Sequence, residues 1–265
     1  MSDRREDPPG FDTSVAHPAR MYDYFLGGKN HFPADQAAAD QLLEVVPQTR
    51  VGARENRAFL QRVVRFLARE AGIRQFLDIG TGLPTQGNVH EIVREVTPDS
   101  RVVYVDNDPI VHVHANALLA GDNTAAIIGD LRDPTAILEH PTTRRFIDFD
   151  QPVAILLLAV LHFIKDADDP DGIMAKLKGA MAPGSYLALS HATGDLYPAE
   201  VGDSAMRAYD RASSQLVLRT RAEITEFFDG FELLDPGVVQ LSLWRPNGDL
   251  PSARGLFGGV GRKLG

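Results

Sequence analysis

From Ile73 to Leu189 the sequence alternates short apolar runs with helical stretches, and this alternation restricts the possible folds more than any other feature. Gln75-Phe-Leu-Asp-Ile79, Arg101-Val-Val-Tyr-Val105, Ala125-Ala-Ile-Ile128, Val153 to Leu158 and Tyr186 to Leu189 read as five strands. Helices are expected near Asn88 to Val96, from Asp108-Pro109 to about Leu119, from Asp133-Pro134, and from about Pro170 to Met181. An Asp-Pro pair supplies an N-cap followed by a first helical residue that needs no N–H. The fourth run is apolar throughout, as suits a strand covered on both faces. Strands linked through helices by short turns imply a parallel sheet with right-handed crossovers. The expected fold is α/β and doubly wound.

The flanks read differently. Residues 1–19 hold charges, adjacent prolines and no apolar period, and are expected to form a flexible arm. Met21, Tyr22, Tyr24 and Phe25 then cluster before Gly27-Gly28-Lys29-Asn30. Ala34 to Val46 and Arg54 to Ala71 are helical; the second places Phe59, Val63, Phe66 and Leu67 on one face and ends at Gly72. Residues 20–72 therefore form an expected helical extension or lid, ahead of a sheet domain over 73–265. Beyond the fifth strand come an inserted helix from Ala199 to Ser213 with Tyr209, and a capping box at Thr220-Arg-Ala-Glu223. Phe231 to Leu243 and Leu256 to Arg262 read as two closing strands.

Composition removes several function classes. The 265 residues carry 27 Lys+Arg against 36 Asp+Glu, a net charge of −9, which opposes broad phosphate-backbone binding. No nucleic-acid partner is expected. With 0 cysteines there is no disulfide, thiolate nucleophile or thiolate metal site, which fits a reducing cytoplasm. The charged start has no apolar signal core, and the longest apolar run, Val153 to Leu161, is half of what a membrane helix needs. A cytoplasmic chain without membrane contact is expected. His112-x-His114 diverges on a helix, His90-Glu91 lacks a second histidine, and no P-loop precedes Gly28-Lys29, so no metal or NTPase site is expected.

Three carboxylates lie at or just beyond strand C-termini: Asp78, Asp106 and Asp130. Ligands of open parallel sheets bind outside those ends, where strand order reverses. Gly80 and Gly82, in Asp78-Ile-Gly-Thr-Gly-Leu-Pro84, allow backbone to approach a ligand closely. Asp106 can accept both hydroxyls of a ribose, and Asp130 an exocyclic adenine amine. A dinucleotide fingerprint would carry a third glycine where Thr85 stands beside Pro84. An adenosine bearing a cationic tail needs no such phosphate cradle, and Asp78 would help the site tolerate an ammonium or sulfonium charge.

The chain resembles the class I S-adenosylmethionine-dependent methyltransferases, and within them a family marked by an N-terminal R-x-Y-D-Y-x-L-G-G-K block. The matching residues are Arg20-Met-Tyr-Asp-Tyr-Phe-Leu-Gly-Gly-Lys29, Asp78 to Thr85 with Asn88 and His90, Tyr104 to Pro109, Gly129 to Pro134, Trp244-Arg-Pro246 and Gly259 to Lys263. The resemblance implies a seven-stranded, mostly parallel sheet of order 3-2-1-4-5-7-6 with strand 7 antiparallel. It also implies S-adenosyl-L-methionine as cofactor, with Gly80 and Gly82 under its methionine part and Asp106 on its ribose. Asn107, Asp130 and Leu131 would lie about the adenine, and Ala159, after the fourth strand, joins the cofactor-binding set.

Methyl transfer is an in-line displacement in which the protein aligns the reactants. A weakly acidic acceptor also needs a base, and His162 and His191, just past strands four and five, are the catalytic candidates. The reading that weighs more for both is a hydrogen-bonded structural histidine. Tyr22 and Tyr24 either pack the extension onto the sheet or close over the cofactor, favouring a sulfonium by cation–π attraction. Arg20 or Lys29 would then meet its carboxylate. The expected acceptor is a small molecule. A nicotinamide-dependent oxidoreductase and a non-catalytic S-adenosylmethionine-binding module remain as alternative readings.

Overall fold

Every residue of β1 (Gln75–Ile79) and of β4 (Ala154–Leu158) is buried, as strands with helices on both faces must be. The computed structural model describes residues 12–84, 87–118, 123–246, 248 and 253–265. β1 pairs in parallel with β4 on one side and with β2 (Arg101–Asp106) on the other. With β3 (Thr124–Ile128), β5 (Tyr186–Ala192), β6 (Phe231–Leu233), β7 (Val239–Gln240) and β8 (Leu256–Lys263), the sheet has 8 strands in the order β3-β2-β1-β4-β5-β8-β6, and β7 lies beside β8. β8 runs antiparallel to β5 and separates it from β6, which is the topology implied by the resemblance. Strand order reverses between β1 and β4, which places the ligand crevice at their C-terminal ends.

One strand count differs. The stretch expected as a single strand from Phe231 to Leu243 divides into β6 and β7, followed by a 3-10 turn over Leu241–Leu243. Asp235-Pro236-Gly237 lies between them: proline has no ladder N–H, and Gly237 sits at φ 82 with its N–H bonded back to the Leu234 carbonyl at 2.7 Å.

Helices cover both faces. On one, α6 (Pro134–Glu139), α7 (Pro141–Phe146), α8 (Pro170–Ala180) and α10 (Arg221–Glu226) supply Ile137, Phe146, Ile173, Leu177 and Ile224 to the larger core. On the other, α3 (Thr49–Arg69), α4 (Val89–Arg94) and α5 (Pro109–Leu118) pack Phe59, Val63, Leu67, Ile92 and Ala115 with Trp244. The helix expected from Asp133 is two, because Pro141 restarts the chain behind a His140 cap.

A third apolar cluster joins α1 (Pro18–Leu26), α2 (Pro33–Val45), the start of α3 and α9 (Ala199–Arg207). Asp35, at the start of α2, holds this group to the chain before it. Its carboxylate accepts the N–H groups of His17 and Phe32, each at 2.8 Å. Residues 1–11 of the expected flexible arm lie outside the described residues. Its last residues are fixed: Ala16 is buried, its carbonyl accepts the Ser213 N–H at 2.8 Å, and Pro18 opens α1. Among the described residues no helix is long and apolar enough to cross a membrane.

Candidate functional site

The turn after β1 is shaped by its two glycines. Gly80 has φ 75 and Gly82 φ 67, and a Cβ on Gly80 would fall 2.4 Å from Val160 Cγ2, whereas Gly82 faces open space. The Gly80 N–H donates to the Val105 carbonyl at 2.8 Å, which folds the turn over the end of β2. There the Asp106 carboxylate accepts the N–H of Gly82 at 2.8 Å through one oxygen and that of Asp108 at 2.9 Å through the other. Burial raises the pKa of Asp106, and these amide bonds oppose the rise. Asp78 is pushed up to about 6 by burial; a hydrogen bond from Thr81 and the charge of Arg57 act the other way.

Thr85 lies outside the described residues, but its neighbours show why no phosphate cradle forms. Leu83 is buried in a small cluster with Ile110 and Val111. The next helix, α4, begins only at Val89, and its Glu91 carboxylate already accepts the N–H groups of Gly87 at 2.7 Å and Asn88 at 3.1 Å. The chain's own anion holds the place a pyrophosphate would take.

Turn and strand ends open into a cavity of about 230 Å³, against roughly 10–15 Å³ for a single water on the same measure. Tyr22, Asp78, Gly80, Gly82, Asp106, Asn107, Asp130, Leu131 and Ala159 all line it. Asp130 accepts Asn107 Nδ2 at 3.1 Å, the Arg132 N–H at 2.9 Å and Arg132 Nε at 3.0 Å, which fixes its carboxylate beside Asn107. Ala159 has φ 56, unusual for a residue with a Cβ, and donates its N–H to Ser190 Oγ at 2.9 Å. Ser190 Oγ donates to Asn56 Oδ1 at 2.6 Å, and Asn56 Nδ2 donates to the Tyr22 hydroxyl at 3.1 Å. The Tyr22 hydroxyl donates to the Ala53 carbonyl at 2.9 Å. One hydrogen-bonded line thus ties α1 and α3 to the ends of β4 and β5.

Three expected residues stand elsewhere. Arg20 does not line the cavity; it is buried between Asp35 and Asp108, with Nε at 3.3 and 3.4 Å from their carboxylates, and Nη2 donates to the Val15 carbonyl at 2.7 Å. Lys29 is exposed and also off the lining. His191 is fully buried behind the wall. Its Nδ1 lies 2.7 Å from the Ala192 carbonyl and Nε2 accepts Arg219 Nη1 at 3.0 Å, so neither nitrogen is available to a substrate. Burial lowers its pKa to about 3. It orients Arg219, which also bonds Ile164 O at 3.1 Å and Asp166 Oδ1 at 2.6 Å, fastening β5 to the loop after β4.

His162 does line the cavity, and its Nδ1 accepts the Ala192 N–H at 3.1 Å. Tyr24 packs rather than faces the cavity: its hydroxyl donates to Asp40 at 2.7 Å and Arg50 lies over its ring at 4.5 Å. The lining also holds Arg57 of α3, a cation that sequence reading passed over. Arg54, Arg57, Arg62, Arg65 and Arg69 recur along that stretch, and nothing local marks the one that faces Asp78.

The sequence profile of the S-adenosyl methyltransferase family matches residues 4–264. A crystal structure from Thermobifida fusca YX, provisionally assigned as a methyltransferase, superimposes with a TM-score of 0.92 at 44% identity, covering 98% of this chain and 99% of that one. A DUF574 family protein from Streptomyces avermitilis MA-4680 gives 0.90 at 45% identity, covering 95% and 99%. The N-methyltransferase NodS from Bradyrhizobium japonicum WM9 shares the fold at 14% identity, with a TM-score of 0.50 over 81% of this chain and 97% of that one. No curated protein matches the chain.

Proposed function

The chain belongs to the S-adenosyl methyltransferase family, and from that premise we propose how its cavity holds S-adenosyl-L-methionine and presents it to a small-molecule acceptor. Asp106 is the ribose ligand: the turn's own amides fix its carboxylate, and it faces the same cavity as Gly80 and Gly82. That arrangement carries the reading. Gly82 leaves space where a Cβ would otherwise stand over the methionine part. Asp78 answers the ammonium, Arg57 the carboxylate, and Asn107, Asp130 and Leu131 flank the adenine. The Glu91 cap and the buried Leu83 disfavour a nicotinamide dinucleotide.

When bound, the cofactor supplies an electrophilic methyl group: the acceptor's lone pair bonds the methyl carbon while the carbon–sulfur pair stays on sulfur, leaving a neutral thioether. The protein's part is alignment. His162 takes no proton at Nδ1, which the Ala192 amide already occupies, so it positions the acceptor instead of deprotonating it. Residues 20–72 act as the lid through Tyr22. The absence of cysteine supports a cytoplasmic location, and the net charge of −9 supports an acceptor other than nucleic acid.

The test is ligand-induced stabilisation. S-adenosylhomocysteine at a hundred times its Kd adds about 2.7 kcal/mol to the folded state, a rise of roughly 5–10 °C in Tm for a chain of this size. Asp106→Ala weakens that binding about 10- to 100-fold through loss of charge-assisted hydrogen bonds. A folded sample showing no rise, or an Asp106→Ala variant with unchanged affinity, refutes the assignment.

A further inference from the structure

The cavity does not end with the strand-end carboxylates. It continues between α1, α2 and α9, where Phe25, Leu42, Phe163, Ala205 and Tyr209 form its wall. These belong to the third apolar cluster or pack against it. The acidic residues on the lining are Asp78, Asp106 and Asp130, all on the other side. Of the arginines, Arg57 acts on Asp78, and Arg132 and Arg254 are exposed to solvent.

Two polar side chains interrupt this wall, and each turns an atom without a protein partner to the cavity. His162 and Tyr209 are each 6% exposed. Nδ1 of His162 accepts an amide N–H, so the ring's remaining proton sits on Nε2. Burial, together with the nearby charge of Arg219, keeps the ring neutral by lowering its pKa well below the ordinary value. Among the described residues neither His162 Nε2 nor the Tyr209 hydroxyl has a hydrogen-bond partner. Both atoms open onto the cavity, so water meets them until a ligand displaces it, and a ligand that does so must replace the lost bonds. The Phe163 ring stands between them, its centroid 4.4 Å from that of His162 and 5.3 Å from that of Tyr209.

We propose that this chamber binds the acceptor as an uncharged, mainly apolar ring compound carrying hydroxyl or carbonyl groups, which His162 Nε2–H and the Tyr209 hydroxyl hydrogen-bond. The inference rests on the cofactor reading above and adds the class of acceptor to it. An anionic acceptor has no buried cation to meet here, and a cationic one no carboxylate. An acceptor without polar groups would displace water from both donors and leave them unpaired.

The probe is 1,5-dihydroxynaphthalene, compared with naphthalene and 1-naphthoate by ligand-observed NMR on the full chain saturated with S-adenosylhomocysteine. Dihydroxynaphthalene is expected to bind at least tenfold more tightly than naphthalene, and naphthoate more weakly than either. Tyr209→Phe, which keeps the ring, should reduce the dihydroxynaphthalene-to-naphthalene preference severalfold, as should His162→Phe, while the Tm rise given by S-adenosylhomocysteine persists in both. Equal binding of the two naphthalenes, an undiminished preference in Tyr209→Phe, tightest binding of naphthoate, or no binding of any of the three overturns the proposal. If His162→Phe fails to fold, Tyr209→Phe decides alone. Loss of the S-adenosylhomocysteine response in the unaltered protein would instead strike the cofactor reading.

Discussion

Asp78 is a buried acid that the fold holds more readily as the neutral form. Its pKa in the folded state is about 6 against 3.8 unfolded, so folding takes up a proton between those values. The associated stability is fully present below about pH 3.8 and is lost as pH rises through 6, a difference on the order of 3 kcal/mol. Asp78→Asn removes this term. Relative to the unaltered protein, the variant should gain stability steadily from pH 4 to 7 in urea titrations; a constant difference would contradict the burial. Binding has the opposite sign. The ammonium of the ligand favours the carboxylate, so the affinity for S-adenosylhomocysteine should fall as pH drops below 6, and Asp78→Asn should flatten that dependence in calorimetric titrations.

The carboxylates were legible in the sequence for a local reason: each lies within a residue or two of a strand end, and a strand end fixes where its neighbours sit. Histidines at similar places were not. His162 follows β4 and His191 lies within the last residues of the adjacent β5, yet one meets the cavity and the other spends both ring nitrogens on Ala192 and Arg219. That difference depends on Arg219, 28 residues away in the chain from His191, which no local pattern couples to it.

Between elements, the line from Tyr22 through Asn56 to Ser190 and Ala159 governs how the helical extension meets the sheet. Asn56→Ala leaves the buried Ser190 hydroxyl and the Tyr22 hydroxyl each short of a partner, a loss of about 1–3 kcal/mol. Hydrogen exchange should then accelerate in α1 by about tenfold or more while the amides of β1 and β4 keep their protection. Uniform acceleration, or none, would show that the line does not anchor α1. Segment boundaries followed the same logic of proximity. The breaks at Pro141 and at Asp235-Pro236-Gly237 carry their signals in the residues themselves, but at the second the apolar residues on either side read as one run, and the wider hydrophobic reading hides the local interruption.

For the molecule as a whole, alternation and handedness lead to a parallel, doubly wound sheet and the family resemblance supplies its strand order, whereas the acceptor chamber is announced by neither. Its wall draws single residues from α1, α2, α9 and the loop after β4, and each of them alone is an ordinary core residue. Arg57 escaped notice for the same reason. The sheet's arrangement also bears on how the protein is made. β6 leaves the ribosome before β8, yet β8 is its partner in the sheet and the bridge to β5. A chain truncated after residue 250 should therefore present the parallel strands already assembled with an unzipped flank, and a pulse of protease should cut it between 231 and 240, a region resistant in the full-length chain.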